Sequence, residues 1–304
     1  MILSNGYRVP DICFGTDIVS NSMFSDCYIK QIIKRCFCIL KGIFRLYPGY
    51  KKDFRIIRCA NASYKNGVRF FDTSRAYSGS EKMLSQALRK YRRDDYYICT
   101  KLMNRDQLLG KSAREALMES MNELGVEYVD VYLLHWPVAG KFLDYWKQLE
   151  ELYNEGLVRA IGVSNCKIHH LEEIKKVARI TPMINEVEIH PLLTEKALLN
   201  YCKESNIQVM AYTSTARLDF RLRNSKRMMN ICKETGKGLS QVILRWHIQN
   251  GVIPIFNSGS IQHLKENMSI FDFVLSEEQM NTIDGMNINS RTRYDSDNCE
   301  WDRL

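Results

Sequence analysis

The sequence predicts a (β/α)8 barrel, and three observations lead to this prediction. Short apolar runs alternate with amphipathic segments along the chain, and strands that alternate with helices form parallel sheets. Eight strand–helix units fit into the 304 residues, and this is the number that closes such a barrel. The first predicted strand is followed by GTDIVSN, which lacks the G-x-G-x-x-G turn of an open, doubly wound sheet. The barrel is therefore favoured over the open sheet.

Each predicted strand is an apolar run rich in β-branched or aromatic residues, as expected for strands buried on both faces. In chain order, the predicted strands are 12–16, 68–74, 96–102, 129–136, 158–165, 184–190, 207–213 and 251–257. Between them, apolar residues recur with a helical period. The predicted helices are SEKMLSQALRKY, SAREALMESMNELG, FLDYWKQLEELYNEG, IHHLEEIKKVAR, EKALLNYCKES and LSQVILRWHIQN.

Two further features complete the predicted fold. Asn5-Gly6 lies between extended residues and predicts a β-hairpin, which would close the amino-terminal end of the barrel. Between Thr16 and Asp72 the chain is roughly thirty residues longer than one strand and one helix require. We expect a single domain over 1–304, with this insert at approximately 20–50 on the face that holds the active site.

Composition excludes several classes of protein. The formal charge of +8 is compatible with an anionic ligand, but no long basic run or basic–aromatic stripe predicts nucleic-acid binding. The 10 cysteines lack CxxC pairs, and His169-His170 lack ligand partners in the sequence, so we expect neither a disulfide framework nor a metal site. The sequence shows no signal peptide and no long apolar span. We therefore expect a cytoplasmic protein, as a monomer or weak dimer.

Four polar side chains lie at or just after the carboxyl ends of predicted strands: Asp72, Tyr77, Lys101 and His135. A phenol has a pKa near 10 and is a poor acid at neutral pH. A neighbouring lysine cation would lower that pKa, a carboxylate would hold the lysine, and an imidazole would hydrogen-bond an incoming oxygen. This combination predicts carbonyl reduction.

Over nearly its whole length the chain resembles the aldo-keto reductase family, with a closing segment like that of bacterial members. The resemblance rests on an ordered set of motifs: NGYRVPDICFGT, FFDTSRAY, ICTKL, YLLHWP, AIGVSN, INEVEIHP, VMAYT, LRWHIQNGVIP and KENMSIFDFVLSEEQM. It implies that hydride passes from a nicotinamide to a carbonyl carbon while Tyr77 protonates the oxygen. Lys101 would lower the pKa of Tyr77, Asp72 would anchor Lys101, and His135 would orient the carbonyl.

The resemblance also implies the cofactor site. Ser164 and Asn165 would hydrogen-bond the nicotinamide carboxamide, and Tyr212 would stack on the ring. Further cofactor contacts are expected at Thr16, Asp17, Glu186, Asn257, Ser258, His263, Glu266 and Asn267. Met103 and Trp136 are expected to line the substrate pocket.

Three positions depart from the family pattern. Glu186 replaces the usual Gln, and we expect its carboxylate to favour the oxidised nicotinamide. The loop AYTSTARLDF lacks the usual Pro and Gly, and Arg217 is a candidate to compensate by charge. Asn257 and His263 replace the Lys and Arg that meet the 2′-phosphate, with Lys265 as a candidate substitute. NADP(H) is the expected cofactor and NAD(H) the alternative.

The expected function is reduction of a small aldehyde, ketone or sugar with NAD(P)H. The alternative is a nucleotide-binding sensor with little turnover. The insert mixes lysines and arginines with apolar residues, which would suit contact with a membrane surface. A lid or rim helix is the favoured interpretation of the insert.

Overall fold

The structure, a computed structural model, describes residues 1–17 and 48–299. Within these ranges, parallel strands pair in the order β1 to β8 and close into a barrel, because β1 also pairs with β8. The strands are β1 Cys13–Gly15, β2 Phe70–Asp72, β3 Tyr97–Leu102, β4 Val129–Leu134, β5 Val158–Ser164, β6 Ile184–Glu188, β7 Gln208–Tyr212 and β8 Ile253–Phe256.

Helices follow the strands and cover the outside of the barrel. They are α1 Pro48–Lys65, α2 Ser80–Leu88, α3 Asn104–Leu108, α4 Ala113–Leu124, α5 Phe142–Asn154, α6 Ile168–Val177, α7 Lys196–Glu204, α8 Phe220–Arg223, α9 Lys226–Thr235, α10 Leu239–Gln249, α11 Ile261–Met268 and α12 Glu277–Asp284. None of the helices in the described part of the chain is long and apolar enough to cross a membrane.

Side-chain size sets how closely the strands approach one another. Every residue of β4 is buried, as expected for a parallel strand covered on both faces. In β5, a Cβ added at Gly162 would lie 2.5 Å from the Ile184 carbonyl oxygen of β6. Glycine is therefore required for these two strands to pair.

The amino-terminal hairpin closes the end of the barrel opposite the active-site face. An antiparallel bridge joins Ile2 to Arg8, and Gly6 adopts a φ of 81° in the turn. The Tyr7 hydroxyl donates to Asp130, near the amino end of β4, at 2.6 Å. The predicted hairpin and its position are confirmed.

The predicted elements differ from the observed ones mainly at their ends. All eight strands form in the predicted order, but each is shorter than its apolar run, because ladder pairing stops before the apolar run does. His135, for example, follows β4 rather than ending it, although its amide still donates to the Leu102 carbonyl at 3.1 Å. The predicted helices form, whereas α1, α3, α8, α9, α11 and α12 are not in the prediction. The predicted insert at 20–50 lies outside the described residues, apart from 48–50 at the start of α1.

Candidate active site

The four predicted catalytic side chains come from adjacent strands on the carboxyl-terminal face of the barrel. Asp72 ends β2, Lys101 is the fifth residue of β3, and His135 directly follows β4. Tyr77 lies in the loop between β2 and α2. In barrels of this architecture, reactive groups are gathered at this end of the strands.

Lys101 is the centre of the cluster and is completely buried. Its ammonium donates to the Asp72 carboxylate and, at 3.1 Å, to the Thr73 carbonyl. Burial alone would favour the neutral amine. The attraction of Asp72 and Glu186 outweighs burial and raises the pKa of Lys101 well above its usual value. Lys101 is therefore a permanent cation inside the site.

Tyr77 packs beside this cation and against His135. Its ring centroid lies 5.3 Å from the Lys101 ammonium, and its ring meets the His135 ring edge-on at 5.6 Å. Burial raises the pKa of Tyr77, Lys101 lowers it, and Asp72 and Glu186 raise it again.

The net shift of the Tyr77 pKa is upward. Lys101 lowers the pKa of Tyr77, as expected, but its effect is smaller than that of burial, which is the largest cause of the shift. The phenol holds its proton at neutral pH, as a proton donor must.

His135 is a neutral imidazole. Burial, together with the positive charges of Lys101 and Arg293, lowers the pKa of His135 to about 3. Its Nδ1 lies 3.4 Å from the Ser74 hydroxyl oxygen, which already accepts from the Ala76 amide at 3.1 Å. The Ser74 hydroxyl can donate to Nδ1 or accept from it, and either arrangement holds the imidazole ring in this orientation.

The carboxyl group of Glu186 contacts Lys101, whereas the family resemblance implies a contact with the nicotinamide. Its carboxyl is buried, and its Oε2 is 3.3 Å from the Lys101 ammonium, inside the lysine–aspartate cluster. Burial and the charge of Asp72 raise the pKa of Glu186 to about 8, against the opposing effect of Lys101. The site therefore disfavours the free carboxylate that the resemblance implies.

Ser164, Asn165 and Tyr212 form one hydrogen-bonded group next to Glu186. The Asn165 amide donates to the His135 carbonyl at 2.9 Å and to Ser164 Oγ at 3.1 Å, and its oxygen accepts from the Tyr212 hydroxyl at 2.6 Å. Ser164 Oγ donates to the Glu186 carbonyl at 2.9 Å. The structure thus gathers these three predicted residues and ties them to the catalytic cluster through His135 and Glu186.

The remaining predicted cofactor residues lie at β1 and around the start of α11. Asn257 donates to the Asp17 carbonyl at 3.2 Å, so β8 and β1 meet here. His263 and Glu266 are exposed on α11, Ser258 is half-buried in the loop before it, and Asn267 is buried. The candidate substitute Lys265 is also exposed on α11.

Two cations that the sequence analysis does not identify lie against the same loop. Arg58 of α1 donates to the Gly259 carbonyl at 3.1 Å. A Cβ added at Gly259 would lie 2.1 Å from an Arg55 guanidinium nitrogen. No sequence signal links α1 to this loop, because about 200 residues separate them and only barrel closure brings them together.

The carboxyl-terminal segment also reaches the mouth of the barrel. The Glu188 carboxylate accepts from the backbone amides of Thr292 and Arg293 at 2.7 and 3.0 Å. The Arg293 guanidinium pairs with Asp17 at 2.7 Å. This brings a cation close enough to influence His135, and no motif in the sequence indicates it.

The backbone after β7 is strained. Ala216, Arg217 and Leu218 have consecutive φ values of 48°, 54° and 53°, a left-handed conformation that costs about 1–2 kcal/mol per non-glycine residue. Such strain is often found in ligand-binding segments. The loop is the one in which the usual Pro and Gly are missing, and Arg217 lies within it.

The two predicted pocket residues flank the catalytic face. Met103 is half-buried between β3 and α3, and Trp136 is 7% exposed directly after His135. The Trp136 carbonyl accepts from Gln107 at 3.3 Å. These positions are compatible with a pocket wall beside Tyr77.

The histidines at the start of α6 do have a partner, which corrects the sequence analysis. Asp297 lies 3.2 Å from His169 Nε2 and 3.6 Å from His170 Nε2. However, His170 Nδ1 accepts from the Lys167 amide at 3.2 Å, and the Lys167 ammonium contacts Asp297 at 2.6 Å. His170 Nε2 therefore carries the proton and is not available as a metal ligand in this arrangement, while Lys167 and Asp297 form an ion pair.

The residues present fit a dinucleotide. The buried Thr16 hydroxyl, at the end of β1, has no hydrogen-bond partner within residues 1–17 and 48–299. It faces the same end of the barrel as the Ser164–Asn165–Tyr212 group, while arginines lie at the far loop. Polar groups after β5 and β7 together with arginines at the loop before α11 suit a nicotinamide at one end and a phosphate at the other.

Comparison with known proteins gives the family of the chain. Residues 42–288 match the aldo/keto reductase family. An uncharacterized oxidoreductase, YtbE of Bacillus subtilis (strain 168), is 38% identical over 267 residues, covering 86% of this chain and 92% of the relative. A glyoxal reductase of the same organism is 38% identical over 251 residues, covering 82% of this chain and 88% of the relative.

A solved structure shares the fold. The Bombyx mori aldo-keto reductase in complex with NADP superposes with a TM-score of 0.82 at 25% identity, covering 98% of this chain and 95% of the other. With the family match over most of the chain and relatives of this similarity, the chain belongs to the aldo/keto reductase family.

Proposed function

We propose that this chain reduces small aldehydes and ketones, including α-dicarbonyls, to alcohols with NADPH. The observation that carries the proposal is the buried Lys101 cation, held by Asp72 beside the Tyr77 ring and opposite a neutral His135. A nucleotide sensor would have no use for this arrangement, so the alternative of a barrel with little turnover is not favoured.

The proposed roles follow from charge and position. A bound nicotinamide supplies hydride to the carbonyl carbon. His135, with its proton on Nε2, donates a hydrogen bond to the carbonyl oxygen and orients it. Tyr77 transfers its phenolic proton to that oxygen as negative charge develops. Lys101 stabilises the phenolate that remains, and Asp72 holds Lys101 in place.

The choice of NADPH over NADH is supported by the cations near Gly259. The sequence departs from its family at Asn257 and His263, but Arg55 and Arg58 lie at the same loop. A phosphate placed there would meet guanidinium groups, which bind phosphate through directed hydrogen bonds. The NADP complex of the Bombyx mori relative supports the same assignment.

The relative named glyoxal reductase suggests the first substrate to test. Wild-type protein mixed with NADPH and glyoxal should consume NADPH, and one alcohol group should form for each NADPH oxidised. The rates with methylglyoxal, a monoaldehyde and a sugar aldehyde then show which class of carbonyl the protein prefers. NADPH oxidation that does not depend on any added carbonyl would contradict the proposal.

We further propose a cytoplasmic location and a monomer or weak dimer. The described cysteines, Cys13, Cys59, Cys99, Cys166, Cys202, Cys232 and Cys299, are free thiols, as is typical of a reducing compartment. Light scattering coupled to size exclusion tests the oligomeric state, and a stable tetramer would contradict it.

A further inference from the structure

The lysine site contains one carboxyl group more than its single cation can neutralise. Lys101 donates to Asp72 and lies 3.3 Å from Glu186 Oε2. A carboxylate oxygen of Asp72, a carboxylate oxygen of Glu186 and the Cys99 sulfur all lie within 4.8 Å of one another, and all three residues are buried. Two ionised carboxylates beside one ammonium would leave net negative charge in an environment that excludes water, which is energetically costly. A bound proton removes that cost.

Geometry places this proton on Glu186 rather than on Asp72. Asp72 has the direct hydrogen bond from the Lys101 ammonium, which stabilises its ionised form. Glu186 Oε2 makes no hydrogen bond within the described part of the chain. The two carboxyls titrate as a coupled pair, and the pKa of Glu186 is raised to about 8 chiefly by burial and then by the Asp72 charge.

We propose that Glu186 positions the catalytic lysine as a neutral carboxylic acid, and that loss of its proton to solvent in mildly alkaline solution weakens carbonyl reduction. The protonated carboxyl has one donor and one acceptor and leaves the Lys101 charge available to Tyr77. The ionised carboxylate competes for that charge and makes the phenol a weaker acid, because negative charge near Tyr77 raises its pKa. This inference rests on the proposed reductase function.

The other groups that face Glu186 do not titrate in the same pH range. Burial raises the pKa of the Cys13, Cys99, Tyr77 and Tyr212 side chains, so all four are neutral near pH 8. Asp72 and Glu186 together hold the one proton that titrates in this range, and Lys101 remains a cation throughout. These groups lie on β1, β2, β3, β7 and the β2–α2 loop.

The ionised carboxylate would also act on the bound cofactor. Negative charge beside a bound nicotinamide would stabilise the positively charged oxidised ring relative to the neutral reduced ring. The affinity ratio of the oxidised to the reduced form should therefore rise with pH.

Glu188 provides a matched control on the same strand. It is also a buried glutamate of β6, two residues away, but hydrogen bonds from His190 and Thr292 lower its pKa despite burial. Glu186→Gln should remove the alkaline decrease in kcat/KM for glyoxal reduction, which in the wild type should fall about tenfold per pH unit above about pH 8. Glu188→Gln should keep that decrease. A decrease that persists in Glu186→Gln, or is absent in the wild type, would overturn the proposal.

Two measurements without turnover separate this proposal from the reductase assignment. The infrared band of a protonated carboxyl, in protein without cofactor, should disappear as the pH passes about 8, and should be absent from Glu186→Gln but present in Glu188→Gln. Fluorescence titration should show an affinity ratio of NADP+ to NADPH that rises with pH in the wild type and is constant in Glu186→Gln.

If no carbonyl is reduced, these two measurements still decide the state of Glu186. If Glu186→Gln does not fold, Glu186→Met takes its place. Wild-type protein that shows no such band at pH 7 would refute the proposal by itself.

Discussion

The Ser74 hydroxyl oxygen lies 3.4 Å from Nδ1 of His135 and accepts from the Ala76 amide. We propose that the Ser74 hydroxyl donates its own proton to the imidazole. This contact would orient the ring and favour the tautomer with its proton on Nε2, the nitrogen proposed to meet the carbonyl oxygen. Ser74 acts through His135 and does not itself take part in the reaction.

Ser74→Ala should lower kcat about fivefold, because a neutral hydrogen bond contributes about 1 kcal/mol. Steady-state kinetics with glyoxal and NADPH measure the change. Ser78→Ala, an exposed serine in the same loop, is the control and should leave kcat unchanged. Equal effects of the two substitutions would show that the loop, rather than the His135 contact, is responsible.

Replacing Lys101 should leave the two buried carboxyl groups, Asp72 and Glu186, without their cation. Lys101→Met should abolish turnover and lower the free energy of unfolding by about 3–5 kcal/mol, as expected when one partner of a buried ion pair is lost. Adding Glu186→Gln should restore about 1–2 kcal/mol, because the amide stays uncharged at this buried position without taking up a proton. Urea unfolding of the four proteins in this cycle measures both values.

Lys147→Met is the control for that cycle, since Lys147 is exposed on α5 beside Asp144. It should change the free energy of unfolding by less than about 0.5 kcal/mol. Strictly additive effects of Lys101→Met and Glu186→Gln would contradict the close contact between the two side chains.

The stability of the wild type should depend on pH through Glu186. Its folded-state pKa, about 8, lies above the ordinary value of 4.5, so the folded protein binds the proton more tightly than the unfolded chain. This contribution is fully present below about pH 4.5 and is lost as the pH rises through about 8. Relative to Glu186→Gln, the wild type should lose up to about 1.4 kcal/mol per pH unit in that range.

Denaturant unfolding of the two proteins at pH 6, 7 and 8 gives this difference directly. Glu188→Gln is again the matched comparison, because the lowered pKa of Glu188 predicts no such loss in that range. A difference between wild type and Glu186→Gln that does not vary with pH would mean that Glu186 is already ionised.

The arginines beside Gly259 should select the cofactor. Replacing both Arg55 and Arg58 by Ala should weaken NADPH binding about tenfold or more, because each charge-assisted hydrogen bond to a phosphate contributes about 1.5–3 kcal/mol. NADH binding should change little. Fluorescence titration measures both affinities, with Arg8→Ala, an exposed arginine in the hairpin, as the control. A parallel loss of NADH affinity would place these arginines at another part of the cofactor.

The sequence was sufficient for the barrel because strand order depends on apolar runs that repeat along the chain. It was also sufficient to place Asp72, Lys101 and His135 on one face, since parallel strands end together. The direction in which a side chain points at a strand end could not be predicted in this way. Glu186 points toward Lys101, and this depends on packing that no local pattern encodes.

Contacts between distant segments account for the remaining differences. Arg58 reaches Gly259, and Arg293 reaches Asp17, only after the barrel closes and the carboxyl-terminal segment folds back. The net direction of the Tyr77 pKa shift could not be predicted for a related reason. Its net direction depends on the balance of burial and several charges, which requires distances rather than residue types.

The most direct test of the central claim is the turnover of Tyr77→Phe with glyoxal and NADPH. The phenol is proposed as the proton donor, so kcat should fall about a hundredfold or more, while NADPH affinity by fluorescence stays within about twofold of the wild type. Tyr153→Phe, near the amino-terminal hairpin, should keep wild-type turnover. A Tyr77→Phe protein that binds NADPH and reduces glyoxal at the wild-type rate would contradict the claim.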